Sequence, residues 1–307
     1  MMVFTKKLYR MILCLSSVLW LLAQIGCATL TENQRKNAAD FSKATTALAE
    51  VTLNEFVQMR DGTILMNTYR LAAVGEEEGQ AGLDNLDEAF DVEDVKIRIQ
   101  AVEVLKTYGE LLQALVDETQ EKGLRNASDK FVASIHGLPS GDKKMSDKQA
   151  DALGEVVYQI GRFVVEAKKA KAVREVVTNT KGQIDHLCDL LSNEFKEEGV
   201  RLLMQYKKSG DVAIAAIQDS FLNTKPDDVI TRLRLVEMYK QTQANRDRVA
   251  PVAKNVSIAI GNMKKANDAL YKSMENLELT PDDFKNLKGY RDSVKMIIDA
   301  IKVLGQE

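Results

Sequence analysis

Apolar residues in this chain recur at alternating spacings of three and four over long stretches, and nowhere at period two over a useful length. Such spacing puts them in a stripe on one side of a helix. A lone striped helix is unstable in water, so its apolar side must be buried against another helix or a partner. Four prolines in 307 residues, with abundant Ala, Leu, Lys, Glu and Gln, favour helix over sheet. The expectation is an all-α fold: an elongated antiparallel bundle of long, coiled-coil-like helices packed at shallow angles.

The first helix is expected from about Glu32 to Ala73, with Phe41, Ala44, Leu48 and Val51 on one face and a local bend at Gly62. A second starts near Val92 and carries Val95, Ile99, Val102, Leu105, Leu112 and Leu115. It weakens around Gly123 and ends near His136, before a turn of Gly137, Pro139, Ser140 and Gly141. The longest pattern starts with Ser146 as N-cap and shows Leu153, Val157, Ile160, Val164, Ala167, Ala170, Val173 and Val177. It continues through Ile184, Leu187, Leu191, Phe195, Leu202 and Tyr206. Unbroken, it would make a rod of roughly 90 Å, with Gly182 and Gly199 as weak points and a kink or break expected near Thr180–Gly182. A short helix is expected over Asp211–Leu222, closed by Lys225-Pro226. The next runs from about Asp227 to Leu277, with Val249, Val252, Val256, Ile260, Met263, Leu270 and Met274 on its apolar face and a kink at Pro251. The last opens with Thr280 as N-cap, Pro281 at the first position, and Asp282 and Asp283 at the positive end of the dipole. Phe284, Leu287, Val294, Ile298 and Ile301 form its apolar side. The chain shows no internal repeat.

The N-terminus has a different character. Lys6, Lys7 and Arg10 precede an apolar core from Met11 to Leu22, and Gly26-Cys27 closes the segment at small residues. Leu21-Leu22-Ala23-Gln24-Ile25-Gly26-Cys27-Ala28 resembles the lipobox of bacterial lipoprotein precursors, departing from it at Gln24. The resemblance covers this segment alone. It implies a diacylglyceryl group on the Cys27 thiol, cleavage just before it, and anchorage in a membrane through lipid. An aspartate after the cysteine would imply inner-membrane retention; Ala28 and Thr29 lack that mark, which implies an outer-membrane lipoprotein facing the periplasm. The expected organisation is a signal peptide over 1–26, a lipidated N-terminus and short tether over 27–31, and a helical bundle over 32–307. Cleavage after Ala28, giving a secreted or periplasmic soluble protein, is the rival. An uncleaved anchor would have an apolar core shorter than the ~20 residues of a spanning helix.

The net charge is −3; loss of Lys6, Lys7 and Arg10 leaves 39 basic against 45 acidic residues, or −6. An evenly mixed acidic surface does not suit nucleic acid, which requires a basic face, and offers no polybasic patch to anionic lipid. Trp20, the single tryptophan, lies in the signal. Cys14 leaves with it, and lipidation of Cys27 leaves Cys188 without an intrachain partner, so no disulfide framework is expected. Beside Leu187 and Leu191, Cys188 reads as a small apolar residue on a buried face. A reactive thiol, an intermolecular disulfide and, without lipid, a Cys27–Cys188 bridge are its alternatives.

Sites for chemistry are sparse. Glu76 to Asp94 holds nine carboxylates and no basic residue, yet Asp84-Asn85-Leu86-Asp87 lacks the ligand spacing and central glycine of an EF-hand loop. It reads as a solvated connection. Asp185, His186, Cys188 and Asp189 crowd one turn, but zinc requires about four converging ligands, and His186 and Cys188 point to different sides of a helix. His136 sits at another helix end. Gly137 to Lys144 lacks the Gly-Lys-Ser/Thr of a phosphate loop. Asn126-Ala127-Ser128 and Asn255-Val256-Ser257 match glycosylation sequons by chance, and Lys168, Lys169 and Lys171 read as a solvated helix face. No catalytic residue, metal site or cofactor is expected, only the lipidation site at Cys27. The leading expectation is a non-catalytic, lipid-anchored envelope protein acting as scaffold or adaptor towards another envelope protein. A membrane-acting protein resembling long-helix pore-forming toxins is the first alternative, although Val212 to Ile217 is short for a membrane hairpin. A helical-bundle sensor with a ligand pocket is the second.

Overall fold

The computed structural model describes residues 30–75, 82–87, 90, 92–117, 121–136, 166–196, 202–275 and 280–304. Among them seven helices form and no strand does: α1 (Glu32–Val74), α2 (Val92–Val116), α3 (Glu121–His136), α4 (Glu166–Glu194), α5 (Leu202–Asn223), α6 (Val229–Met274) and α7 (Pro281–Leu304). The fold is all-α, and the helices pack on one another around a common apolar core.

Helix α1 begins at a reciprocal cap. The Gln34 N–H donates to Thr31 Oγ1 at 3.2 Å, and the Thr31 N–H to Gln34 Oε1 at 2.9 Å. Gln34 Nε2 also donates to the Ser273 carbonyl at 2.6 Å, which pins the start of α1 to the end of α6. These two helices run antiparallel, with Gln58 facing Arg248 and Tyr69 facing Gln241 further along. Helix α1 ends at Gly75, whose φ of +81° favours glycine.

Four neighbours, α2, α5, α6 and α7, pack on α1. The expected face of Phe41, Ala44, Leu48 and Val51 is buried, and so are Ser42, Thr45, Thr52 and Thr63. A buried hydroxyl without a partner costs free energy, so most are paired. Thr45, Thr52 and Thr63 therefore donate to the carbonyls four residues back, at 2.7 to 2.9 Å. The Tyr290 hydroxyl of α7 donates to Thr45 Oγ1 at 3.1 Å, and the Phe41 ring lies between those of Tyr108 and Tyr290.

Several expected boundaries move. The second pattern is not one helix to His136. It ends at Val116, where Asp117 offers its carbonyl to the buried Lys169 Nζ at 3.1 Å. Helix α3 then folds back along α2, with Ser134 bonded to Thr107 and Lys130 to Glu110. Leu124, Ala127, Phe131 and Ile135 give α3 its own buried stripe. No break falls at Thr180–Gly182: α4 runs through it, Thr180 donating to the Val176 carbonyl at 2.7 Å. The chain leaves the helix at Phe195 instead, whose ring stacks on Phe56 of α1 at 5.2 Å. Leu202 and Tyr206 thus belong to α5, which starts nine residues before Asp211. Ser146 to Val164, and the turn at Gly137 to Gly141, lie outside the described residues.

At Pro251, α6 stays helical on both sides, and its expected apolar face, from Val249 to Met274, is buried. Helix α4 lies antiparallel against it through Thr178–Glu275, Lys181–Asp268, Asp185–Asn267 and Asp189–Lys264. Helix α7 opens as expected, Thr280 Oγ1 accepting from the Asp283 N–H at 3.3 Å while Asp283 Oδ2 accepts from the Thr280 N–H at 2.9 Å. Its buried side is Asp283, Tyr290, Ser293, Val294 and Ile297. Phe284 is exposed, contrary to expectation, because Asp283 occupies the inward position and bonds Lys272 at 3.0 Å.

Glycines within helices separate into two kinds. A Cβ on Gly109 would lie 2.9 Å from the Ser42 carbonyl oxygen and 3.1 Å from the Thr46 nitrogen, both α1 backbone. Gly182 has nothing within 4 Å. Gly109→Ala should therefore lower Tm by forcing α1 and α2 apart, despite alanine's better helix propensity. Gly182→Ala should raise it, with a gain of up to about 1 kcal/mol. Thermal unfolding of the two variants beside the parent checks both signs.

Candidate functional site

Helices α5 and α6 form a hairpin. Beside α1 it is well packed: Tyr206 donates to the Asn245 carbonyl at 3.0 Å, and Arg246 binds Asp211 at 2.6 Å. Gly62 of α1 faces the Tyr206 ring, where an added Cβ would lie 2.5 Å from the hydroxyl; close approach, with no interruption of the helix, explains this glycine. Extending the Gln58–Arg248 and Tyr69–Gln241 register brings Val74, the last residue of α1, level with Val236. The hairpin continues past that level without α1.

Its far end is tightly built. Asp228 Oδ1 caps α6 by accepting from the Thr231 N–H at 3.1 Å. Arg232 Nη1 donates to the Phe221 and Thr224 carbonyls at 3.1 and 3.0 Å, placing a cation at the negative end of α5. The same guanidinium lies 3.8 Å from the centre of the Phe221 ring. On this fixed frame Leu222 is 80% exposed, Val229 57%, Ile230 67% and Leu233 64%. A groove of about 800 Å³ runs beside them, lined by Ile217, Phe221, Leu222, Leu235, Val236 and Tyr239, among others. Single exposed apolar residues are ordinary. A cluster on one ordered element is a candidate contact surface, since each such chain forgoes roughly 1.5 to 3 kcal/mol of burial.

A second unusual feature lies where α5 and α6 cover α1. Glu55 is 6% exposed, and its Oε1 has no hydrogen-bond partner. Burial lifts its carboxyl from 4.5 to about 7, against the pull of Arg248, which itself donates to Gln58 at 2.7 Å. Burial also pushes the neighbouring Tyr206 hydroxyl up.

The residues singled out from sequence are spread apart. Cys27 lies outside the described residues, as do Gly137 to Lys144, Glu76 to Ala81 and a Cys27–Cys188 bridge. Cys188 is a buried free thiol, its pKa pushed up by burial and by Asp185 and Asp189. His186 is exposed on another side of the same helix. Asp185 is held by Lys181 at 2.7 Å and Asp189 by Lys264 at 2.6 Å. Among the described residues no group of three or more His, Cys, Asp or Glu is placed to hold a metal. In the acidic stretch, Asp87 pairs with Arg60 at 2.9 Å. Lys169 corrects the expected solvated face: it is buried and bonded to Asp117, while Lys171 reaches Glu175 at 3.6 Å. Ser128 of the first sequon is buried within α3, and Ser257 of the second bonds Ser192 across to α4.

Sequence reasoning missed the hairpin tip. Its signal was present: Val229, Ile230, Leu233 and Val236 form one stripe while Leu235 and Tyr239, four apart, lie on another side, so this part of α6 is apolar on two sides. Compared with protein-family models, curated proteins and solved structures, the chain finds no match.

Glu55 sets a pH dependence whose sign follows from its raised pKa. The folded protein holds this proton up to about pH 7, whereas the unfolded chain releases it near 4.5. Its contribution is therefore full below about 4.5 and lost as pH rises through 7. Glu55→Gln should leave Tm nearly unchanged at pH 4 and raise stability at pH 8 by up to about 3 kcal/mol. Unfolding curves of parent and variant across that range measure the difference.

Proposed function

We propose that this protein is a non-catalytic, lipid-anchored adaptor of the bacterial cell envelope, held to the outer membrane at Cys27 and working by protein contact. The supporting observation is the cluster of Leu222, Val229, Ile230 and Leu233 at the end of the hairpin, exposed on an ordered frame. Its position suits an adaptor. Thr31 caps the start of α1, four residues after Cys27, and the tip lies beyond the other end of that helix. At 43 residues, α1 alone separates the two by about 65 Å.

The same cluster could meet a bilayer, which is the membrane-acting alternative. Against it, Lys225, Asp227 and Asp228 form the turn that would have to enter first, and each costs roughly 2.5 to 3.5 kcal/mol at a bilayer centre. No helix among the described residues is long and apolar enough to cross a membrane. Protein is the better-matched occupant.

Two measurements test the proposal. Intact mass of the membrane fraction should show an acylated protein beginning at Cys27, and Cys27→Ser should move it to the soluble fraction. An unmodified mature protein beginning at Thr29 overturns the anchor. A photo-crosslinking residue at Ile230, in cells, should give discrete protein adducts that the same residue at exposed Lys285 does not. Equal adduct patterns, or leakage of dye-loaded liposomes by the purified protein, overturn the adaptor reading.

A further inference from the structure

The hairpin tip carries a more specific reading, which rests on the proposal that it is a contact surface. We infer that the tip docks against the tip of a second copy of this chain, the two α6 helices crossing antiparallel at Leu233, so that two hairpins close into a four-helix bundle. A helix pair with one unpartnered apolar side is half of such a bundle. The groove between Phe221 and Leu222 on α5 and Leu235, Val236 and Tyr239 on α6 is the side left open.

Charge favours self-contact at this place. From Ile217 to Gln243 the chain has four basic residues, Lys225, Arg232, Arg234 and Lys240, and four acidic ones, Asp219, Asp227, Asp228 and Glu237. The tip is thus neutral on a protein that is acidic after processing, so two copies meet there without net repulsion.

Charge also chooses the register. With the helices antiparallel about Leu233, Ile230 lies level with Val236 of the second copy, apolar on apolar. Lys240 then comes level with the second copy's turn, beside its Asp227 and Asp228. All three of these charged residues are exposed. A parallel pairing would set Glu237 against Glu237 and Lys240 against Lys240, which is repulsive. The antiparallel contact is isologous, the arrangement that closes a dimer.

The area is small. The largest apolar patch on a single chain is ordinarily roughly 300 to 600 Å², so two copies bury about 1,000 Å² at most, where specific interfaces begin.

Cysteine pairing in the full-length, membrane-bound protein tests both dimer and register. Leu233→Cys should give a disulfide-linked dimer under mild oxidation, because the crossing brings the two positions into bridging range. Lys285→Cys should give at least tenfold less. Ile230→Cys should not link to itself, but should link to Val236→Cys when the two variants are co-expressed. The parent chain supplies the background for Cys188, and circular dichroism of each variant checks that the helices remain. No Leu233→Cys dimer overturns the inference, and an Ile230→Cys self-link overturns the antiparallel register. If Leu233→Cys stays monomeric while the photo-crosslinker at Ile230 captures a different protein, the second-copy inference fails and the adaptor reading stands. If both experiments are blank, both fail.

Discussion

Helix α1 is covered by four neighbours, so its backbone must approach several helices closely while no buried hydroxyl is left without a partner. Its residues meet both demands. Ala38, Ala44, Ala49 and Gly62 keep the surface low, and Thr45, Thr52 and Thr63 return their hydroxyls to their own helix. Against this surface α2 brings Gly109, α7 brings Tyr290 to Thr45, and α5 brings Tyr206 to Gly62. The cap that joins Thr31, Gln34 and Ser273 fixes where α1 starts along α6. The level at which α1 ends, and with it the unaccompanied length of the α5–α6 hairpin, follows from that starting point and from helix length.

Helix type was legible throughout, because a period near 3.5 has few other meanings. Breaks were harder. Gly182 looked like one, yet an exposed glycine costs only about 1 kcal/mol in a helix, and the packing of α4 on α6 outweighs that. Phe195 looked like the continuation of a stripe, yet it ends one, its ring stacked on Phe56 just past the last residue of α4. Stripes on either side of such a break share a period, so spacing alone cannot show that Leu202 and Tyr206 have passed to a new helix. The burial of Lys169 and Asp283 went unread for a related reason. Each is charged and each is buried, because the Asp117 carbonyl just past α2 and the ammonium of Lys272 meet them in space from distant or unaligned positions.

Glu55 follows Val51 by four residues and so continues the line of Phe41, Ala44, Leu48 and Val51. The spacing marks its place on the buried face, but not that a carboxyl is buried there by α5 and α6 closing over that turn of α1. The tip was partly legible. Apolar residues on two sides of α6 near its start signal either burial on two sides or an unfilled contact. Choosing between them requires knowing that α1 ends level with Val236, a fact of packing rather than of local sequence.

The layout of the tip also bears on what it can touch. Lys225, Asp227 and Asp228, with Pro226 among them, occupy the turn itself, and the apolar chains lie along the flanks from Leu222 and from Val229 to Val236. A surface meant to plunge end-on into lipid would carry its apolar residues at the turn. One meant to lie beside another helix carries them at spacings of three and four along the side, as Val229, Leu233 and Val236 do. Arg232, fastened to the last carbonyls of α5, keeps those flanks in place before any partner arrives, so little ordering entropy remains to oppose the contact. A rigid, laterally apolar hairpin with a charged turn is suited to helix-against-helix packing.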